Sequence, residues 1–123
     1  MDAKQTAKIN GIGRAVIGAA MTAAPTLATR GWIGDDAATP GGKVIGRALG
    51  IRDLVLGAGL IQALDAGAPT RGWIAAVAAA DAIDAVATVL NWGDLPRGGR
   101  IGILALAAGS AIHMGVLAAG ADD

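Results

Sequence analysis

The sequence predicts an all-α fold: a four-helix transmembrane bundle of antiparallel, up-down topology, forming one domain over residues 1–123. Three observations predict it. Hydrophobic residues make up 54% of the chain and charged residues only 16%, against about 45–50% and about 25% in ordinary soluble domains. Phe and Tyr are absent while glycines number 20, which removes the large rings that soluble cores lean on and supplies small residues that let membrane helices approach closely. Six charged residues, Arg14, Arg47, Arg52, Asp53, Asp81 and Asp84, fall inside otherwise apolar stretches. A charge facing lipid is costly, so these side chains are expected to face a protein interior and meet one another.

The first helix is expected over 9–29. Pro25 sits near its end, where a lost backbone hydrogen bond does least harm. Lys4, Lys8 and Arg14 precede an uncharged run over 15–29, the layout of a signal peptide, which is read here as a retained first helix. A loop rich in Gly, Asp and Pro follows over 30–42. The second helix is expected over 43–66 and is stopped by Gly67-Ala68-Pro69-Thr70. The third covers 73–92, with Asn91 and Gly93-Asp94-Leu95-Pro96 marking the turn. The fourth covers 100–121 and carries only Ser110 and His113 as strongly polar side chains. An acidic tail, Asp122 and Asp123, closes the chain.

A membrane span needs roughly 20 apolar residues: the fourth stretch meets this cleanly, the first meets it if Arg14 snorkels toward the surface, and the second and third meet it only if neighbouring helices shelter their charges. Trp32, Trp73 and Trp92 lie at or just beyond expected helix ends, where indoles favour the membrane interface. A soluble Ala-rich bundle is the alternative. Lys4, Lys8 and Arg71 fall on one side, and Arg30, Lys43, Arg97 and Arg100 on the other, too even a split for the positive-inside rule to orient the chain. A faint internal echo is visible: Ile12-Gly13-Arg14-Ala15 recurs as Ile45-Gly46-Arg47-Ala48, and Arg30-Gly31-Trp32-Ile33 as Arg71-Gly72-Trp73-Ile74.

Helical spacing sorts the polar groups into faces. Gly46, Gly50, Asp53 and Gly57 share one stripe of the second helix, and Asp81, Asp84, Thr88 and Asn91 form a polar seam on the third. Gly11, Arg14, Gly18 and Thr22 align on the first helix, and Leu106, Ser110, His113 and Leu117 on the fourth. The simplest assembly sets three arginines against three aspartates. Asp81 and Asp84 are one turn apart and repel, so one of them is expected to be protonated unless an arginine lies between them.

The run Arg47-Ala48-Leu49-Gly50-Ile51-Arg52-Asp53-Leu54-Val55-Leu56-Gly57, followed by Ala80-Asp81-Ala82-Ile83-Asp84-Ala85-Val86-Ala87-Thr88, resembles small uncharacterised four-helix membrane proteins of high-GC bacteria. More remotely it resembles the DoxX-like group. The likeness covers the second to fourth helices and rests on these two motifs. It implies an integral protein of the bacterial inner membrane with a polar core. A link to quinone or sulfur redox chemistry is implied by the DoxX-like resemblance alone, and no residue here visibly binds a redox centre.

Three functions fit these residues. In the first, the buried Arg/Asp site binds, and by acid–base chemistry transforms, a small lipophilic ligand. Asp81, Asp84, Arg52 and His113 are then the candidate catalytic groups, and Asp53, Arg47, Arg14, Thr88, Asn91 and Ser110 the candidate ligand-binding ones. In the second, the charges fix helix register in a non-catalytic accessory or assembly subunit of a larger membrane complex. In the third, they form a small transporter or proton pathway. Whether the chain is an enzyme is left open. Membrane lipid and a lipophilic small molecule are the expected contacts, with assembly as a homo-oligomer or as a subunit of a membrane complex. The zero net charge and the lack of a basic patch give no sign of nucleic acid. No cofactor is expected. The absence of Cys removes disulfides and thiolate metal sites. No Ser/His/Asp triad or dinucleotide fingerprint has the context it needs.

Overall fold

The computed structural model describes residues 1–121. The expected acidic tail, Asp122 and Asp123, lies outside the described residues. The described chain is helical and contains no strand: α1 is Ala3–Ala23, α2 Pro25–Ile33, α3 Pro40–Ala66, α4 Arg71–Leu90 and α5 Arg97–Ala119. Short 3-10 turns, Gly34–Ala38 and Trp92–Asp94, join α2 to α3 and α4 to α5.

Five helices replace the expected four because the first span breaks. Ala24 leaves the helical region at φ −135° and ψ 70°, since a residue preceding proline is disfavoured there. Pro25 then opens a new helix at its first position, where its missing N–H is no loss. The expected loop at 30–42 is correspondingly shorter, because α2 and the first 3-10 turn occupy most of it. Thr39 caps α3 by accepting a hydrogen bond from the Gly42 amide at 3.0 Å, and Gly67 ends α3 in the left-handed region at φ 65°. The first helix also starts six residues earlier than expected, at Ala3, because Asp2 and Gln5 form a capping box there; the remaining boundaries agree with the sequence pattern to within about three residues.

The long helices pack as two antiparallel pairs, α1 on α3 and α4 on α5. Glycine sets the first pair. A Cβ on Gly18 would lie 2.4 Å from the Leu54 nitrogen, and one on Gly57 would lie 2.5 Å from the Gly11 carbonyl oxygen. Only bare backbone fits either place. The stripe Gly46, Gly50, Asp53 and Gly57 is buried as its spacing predicts. An apolar cluster of Ala7, Leu60, Ile74, Val77 and Met114 ties both pairs together near the α3–α4 turn. Trp73 does not merely sit at a helix end; its ring lies over Gly59 of α3.

Large aliphatic side chains point outward on all four long helices, among them Ile12 and Val16, Ile51 and Val55, Ile83 and Val86, and Leu106 and Ile112. Helices α4 and α5 are long and apolar enough to cross a membrane, and only 28% and 11% of their apolar stretches are covered by the rest of the chain. Helices α1 and α3 carry more charge and fall short of that measure.

Overpacking tests the α1–α3 contact. We expect Gly57→Val to cost about 1–3 kcal/mol in detergent-solubilised thermal or denaturant unfolding. Gly13→Ala on the outer side of α1 serves as the control, since its new methyl would meet nothing within 4 Å. It is expected to be neutral or to stabilise by up to about 1 kcal/mol.

Candidate functional site

Five ionisable side chains meet between α1, α3 and α4. The Arg14 guanidinium of α1 lies between two carboxylates: its Nη1 donates to Asp53 Oδ1 at 3.1 Å, and its Nη2 to both Asp81 oxygens at 2.6 Å. Arg52 of α3 forms a fork on Asp84, with Nη1 and Nη2 donating at 2.9 and 2.7 Å. Its Nε and Nη2 also reach Asp53 Oδ1 at 3.1 and 3.0 Å. Asp53 is therefore the shared anion that joins the two arginines. From α5, the Ser110 hydroxyl donates to Asp81 Oδ2, and Asn10 Nδ2 of α1 donates to Ser110 Oγ at 2.9 Å.

The network is enclosed and central. Side-chain exposures are 9% for Arg14, 12% for Asp53, 7% for Asp81 and 15% for Asp84; Arg52 is the most open, at 27%. Every member lies within about four residues of the midpoint of its helix. The helices thus bring their polar groups to one common level. Apolar side chains lie above and below it on the outer faces.

The expected balance of three arginines against three aspartates is not what forms. Arg47 is exposed, and its Nε donates to the Thr22 carbonyl at 3.2 Å, outside the network. Two guanidiniums therefore serve three carboxylates. Nor does one arginine lie between Asp81 and Asp84, since each has its own. Their one-turn separation on α4 is resolved by aiming them at different neighbouring helices. The echo of Arg14 in Arg47 has no structural counterpart.

His113 stands apart from this site. It lies on the exposed side of α5, whereas Ser110 faces inward, so the shared face expected from a three-residue step divides at its edge. The polar seam of α4 ends at Thr88. That hydroxyl donates to the Asp84 carbonyl at 2.8 Å and accepts from Trp32 Nε1 at 3.0 Å. Asn91 is exposed and donates to the Ala87 carbonyl of its own helix. Asn10 is the network member that the sequence pattern overlooked. It lies four residues before Arg14, on the same helical face, and that spacing is the signal that would have found it.

Two buried polar atoms beside the network lack a hydrogen-bond partner among the described residues, Arg14 Nε and Asn10 Oδ1. Surface cavities of about 430 and 390 Å³ lie at opposite ends of the molecule, and none of the five ionisable residues lines either one. Comparison with known protein families, with curated proteins and with solved structures gives no match.

Removing Arg14 leaves two enclosed carboxylates without their shared cation. Arg14→Leu is expected to cost about 3–5 kcal/mol. Arg52→Leu should cost less, because the chain encloses its guanidinium less completely, at 27% exposure against 9% for Arg14. Denaturant unfolding of the two variants in one detergent checks the order.

Proposed function

We propose that this chain is a small integral membrane protein in which all four long helices cross the bilayer and the Arg/Asp network clasps the two helix pairs together at mid-depth. The observation that carries this reading is the inverted distribution of polarity. Five ionisable side chains are enclosed at the helix midpoints, while large aliphatic residues face outward on the same helices. A contiguous outward apolar surface marks a membrane or interaction site, and charges held inside a bundle are how membrane helices carry them. The 20 residues of α4 rise about 30 Å, the thickness of a hydrocarbon core. Helices α1 and α3 would cross as members of the assembly, with Arg14, Arg52 and Asp53 shielded by it.

In this reading the ion pairs fix register and partner choice, as suits an accessory or assembly subunit of the bacterial inner membrane. Both guanidiniums pair with carboxylates on neighbouring helices, which favours a clasp over a reactive acid–base pair. A second reading rests on Arg14 Nε and Asn10 Oδ1, the buried atoms without partners. They favour a small lipophilic ligand with one acceptor and one donor, held beside Asp81 and Ser110.

One pair of substitutions separates the two. Arg14→Met combined with Asp81→Leu replaces the central ion pair by apolar groups of similar volume, a change that is often neutral or stabilising for a structural pair. The clasp reading expects the double variant to remain in membranes after an alkaline wash and to unfold at a denaturant concentration no lower than the parent. A ligand site expects a lipophilic compound to be retained by the parent in native mass spectra and lost from the double variant. Recovery of the parent as a monodisperse species in buffer without detergent or lipid would contradict both.

A further inference from the structure

On the membrane placement proposed above, the outer face of α5 presents a polar group that lipid cannot satisfy. His113 is exposed and makes no hydrogen bond within the described chain. It lies five residues from the midpoint of α5, about 7 Å along the axis. The hydrocarbon layer extends about 15 Å on either side of its centre, so the imidazole would lie well inside it. There each unsatisfied polar group carries a substantial cost, and a partner must come from protein.

Small residues run along that face between the larger Leu106, Ile112 and Val116. Gly102, Ala105 and Gly109 precede His113 at steps of three, four and four, and all are exposed. A Cβ on Gly102 or Gly109 would meet nothing within 4 Å. These glycines therefore do no packing inside their own chain, unlike Gly18 and Gly57. Each weakens the helix relative to alanine. Bare backbone at these positions leaves α5 open to close approach from outside.

We propose that this face of α5 is the contact between two copies of the chain, paired in parallel about a two-fold axis along the membrane normal. Polar complementarity selects a second copy as the occupant. A neutral imidazole carries one donor and one acceptor, so it is complementary to itself. Copies inserted in the same direction hold it at the same depth. His113 then donates to, or accepts from, the partner's His113, while the glycine backbone lets the two helices come close. A lipid tail offers neither donor nor acceptor.

The test uses the purified chain reconstituted alone in phosphatidylcholine vesicles. The natural sequence has no cysteine, so a single introduced thiol reports its own neighbours. Ile112→Cys or Val116→Cys, flanking His113 on the outer face, is expected to form disulfide-linked dimers on oxidation. Ile83→Cys, on the outer face of α4, is not. His113→Leu should weaken association about 3- to 20-fold, the range that interhelical hydrogen bonds supply in membranes. His113→Asn keeps a donor and an acceptor and should recover part of that loss. Equal cross-linking at Val116→Cys and Ile83→Cys would overturn the contact, as would association unchanged by His113→Leu. A chain that floats with vesicles but stays monomeric overturns the contact alone, whereas one that fails to float overturns the membrane placement beneath it.

Discussion

The arrangement depends on one guanidinium. Arg14 holds Asp53 of α3 and Asp81 of α4 at once, and those two helices belong to different packed pairs. Through Asp53 the second arginine is drawn in, and through it Asp84. No comparable polar tie joins α1–α3 to α4–α5 elsewhere in the described chain; the remaining link is the apolar cluster around Leu60, Val77 and Met114. Such a network tolerates replacement of a whole pair better than loss of a single member. Losing one partner strands the others in a medium that solvates them poorly, which makes the ionic centre a strong constraint on register.

Glycine and charge act together here. Close approach of α1 and α3 at Gly18, Gly50 and Gly57 brings Arg14 within reach of a carboxylate on the facing helix. With ordinary side chains at those positions the helices would stand farther apart and the short Asp53 contact would be lost. On the other pair, the Ser110 hydroxyl seats Asp81 from α5 while Asn10 reaches the same hydroxyl from α1. Four helices therefore contribute to one level of the molecule. Outside that level the surface is largely aliphatic.

Much of this was legible in the sequence. Helix positions followed from apolar runs and breakers such as Gly67, and the inward stripe Gly46, Gly50, Asp53 and Gly57 followed from spacing alone. The meeting of Arg14, Arg52, Asp53, Asp81 and Asp84 followed from the cost of charge in apolar surroundings. What spacing could not give was partner choice between helices. Arg47 lies five residues before Arg52, a step of about 140° around α3, and so turns away to the surface. Asp81 and Asp84, neighbours on one helix, are expected from spacing to repel unless one arginine lies between them; that each has its own arginine depends on where α1 and α3 stand. The break at Ala24 comes less from the missing N–H of Pro25 than from the restriction that proline places on the residue before it. His113 fell outside because three residues advance 300°, enough to carry a side chain across the edge of a face.

The central claim is that hydrocarbon surrounds the outward aliphatic faces and leaves the ionisable groups enclosed at mid-depth. Depth-resolved spin labelling tests it most directly, with single nitroxides at Leu106 and Ile83, which are 71% and 65% exposed and lie near the middles of α5 and α4. In vesicles the account predicts that dissolved oxygen relaxes both labels strongly while a water-soluble nickel chelate hardly reaches them. Ready access of the chelate to either label, at the level seen for a label on an exposed loop, would contradict it.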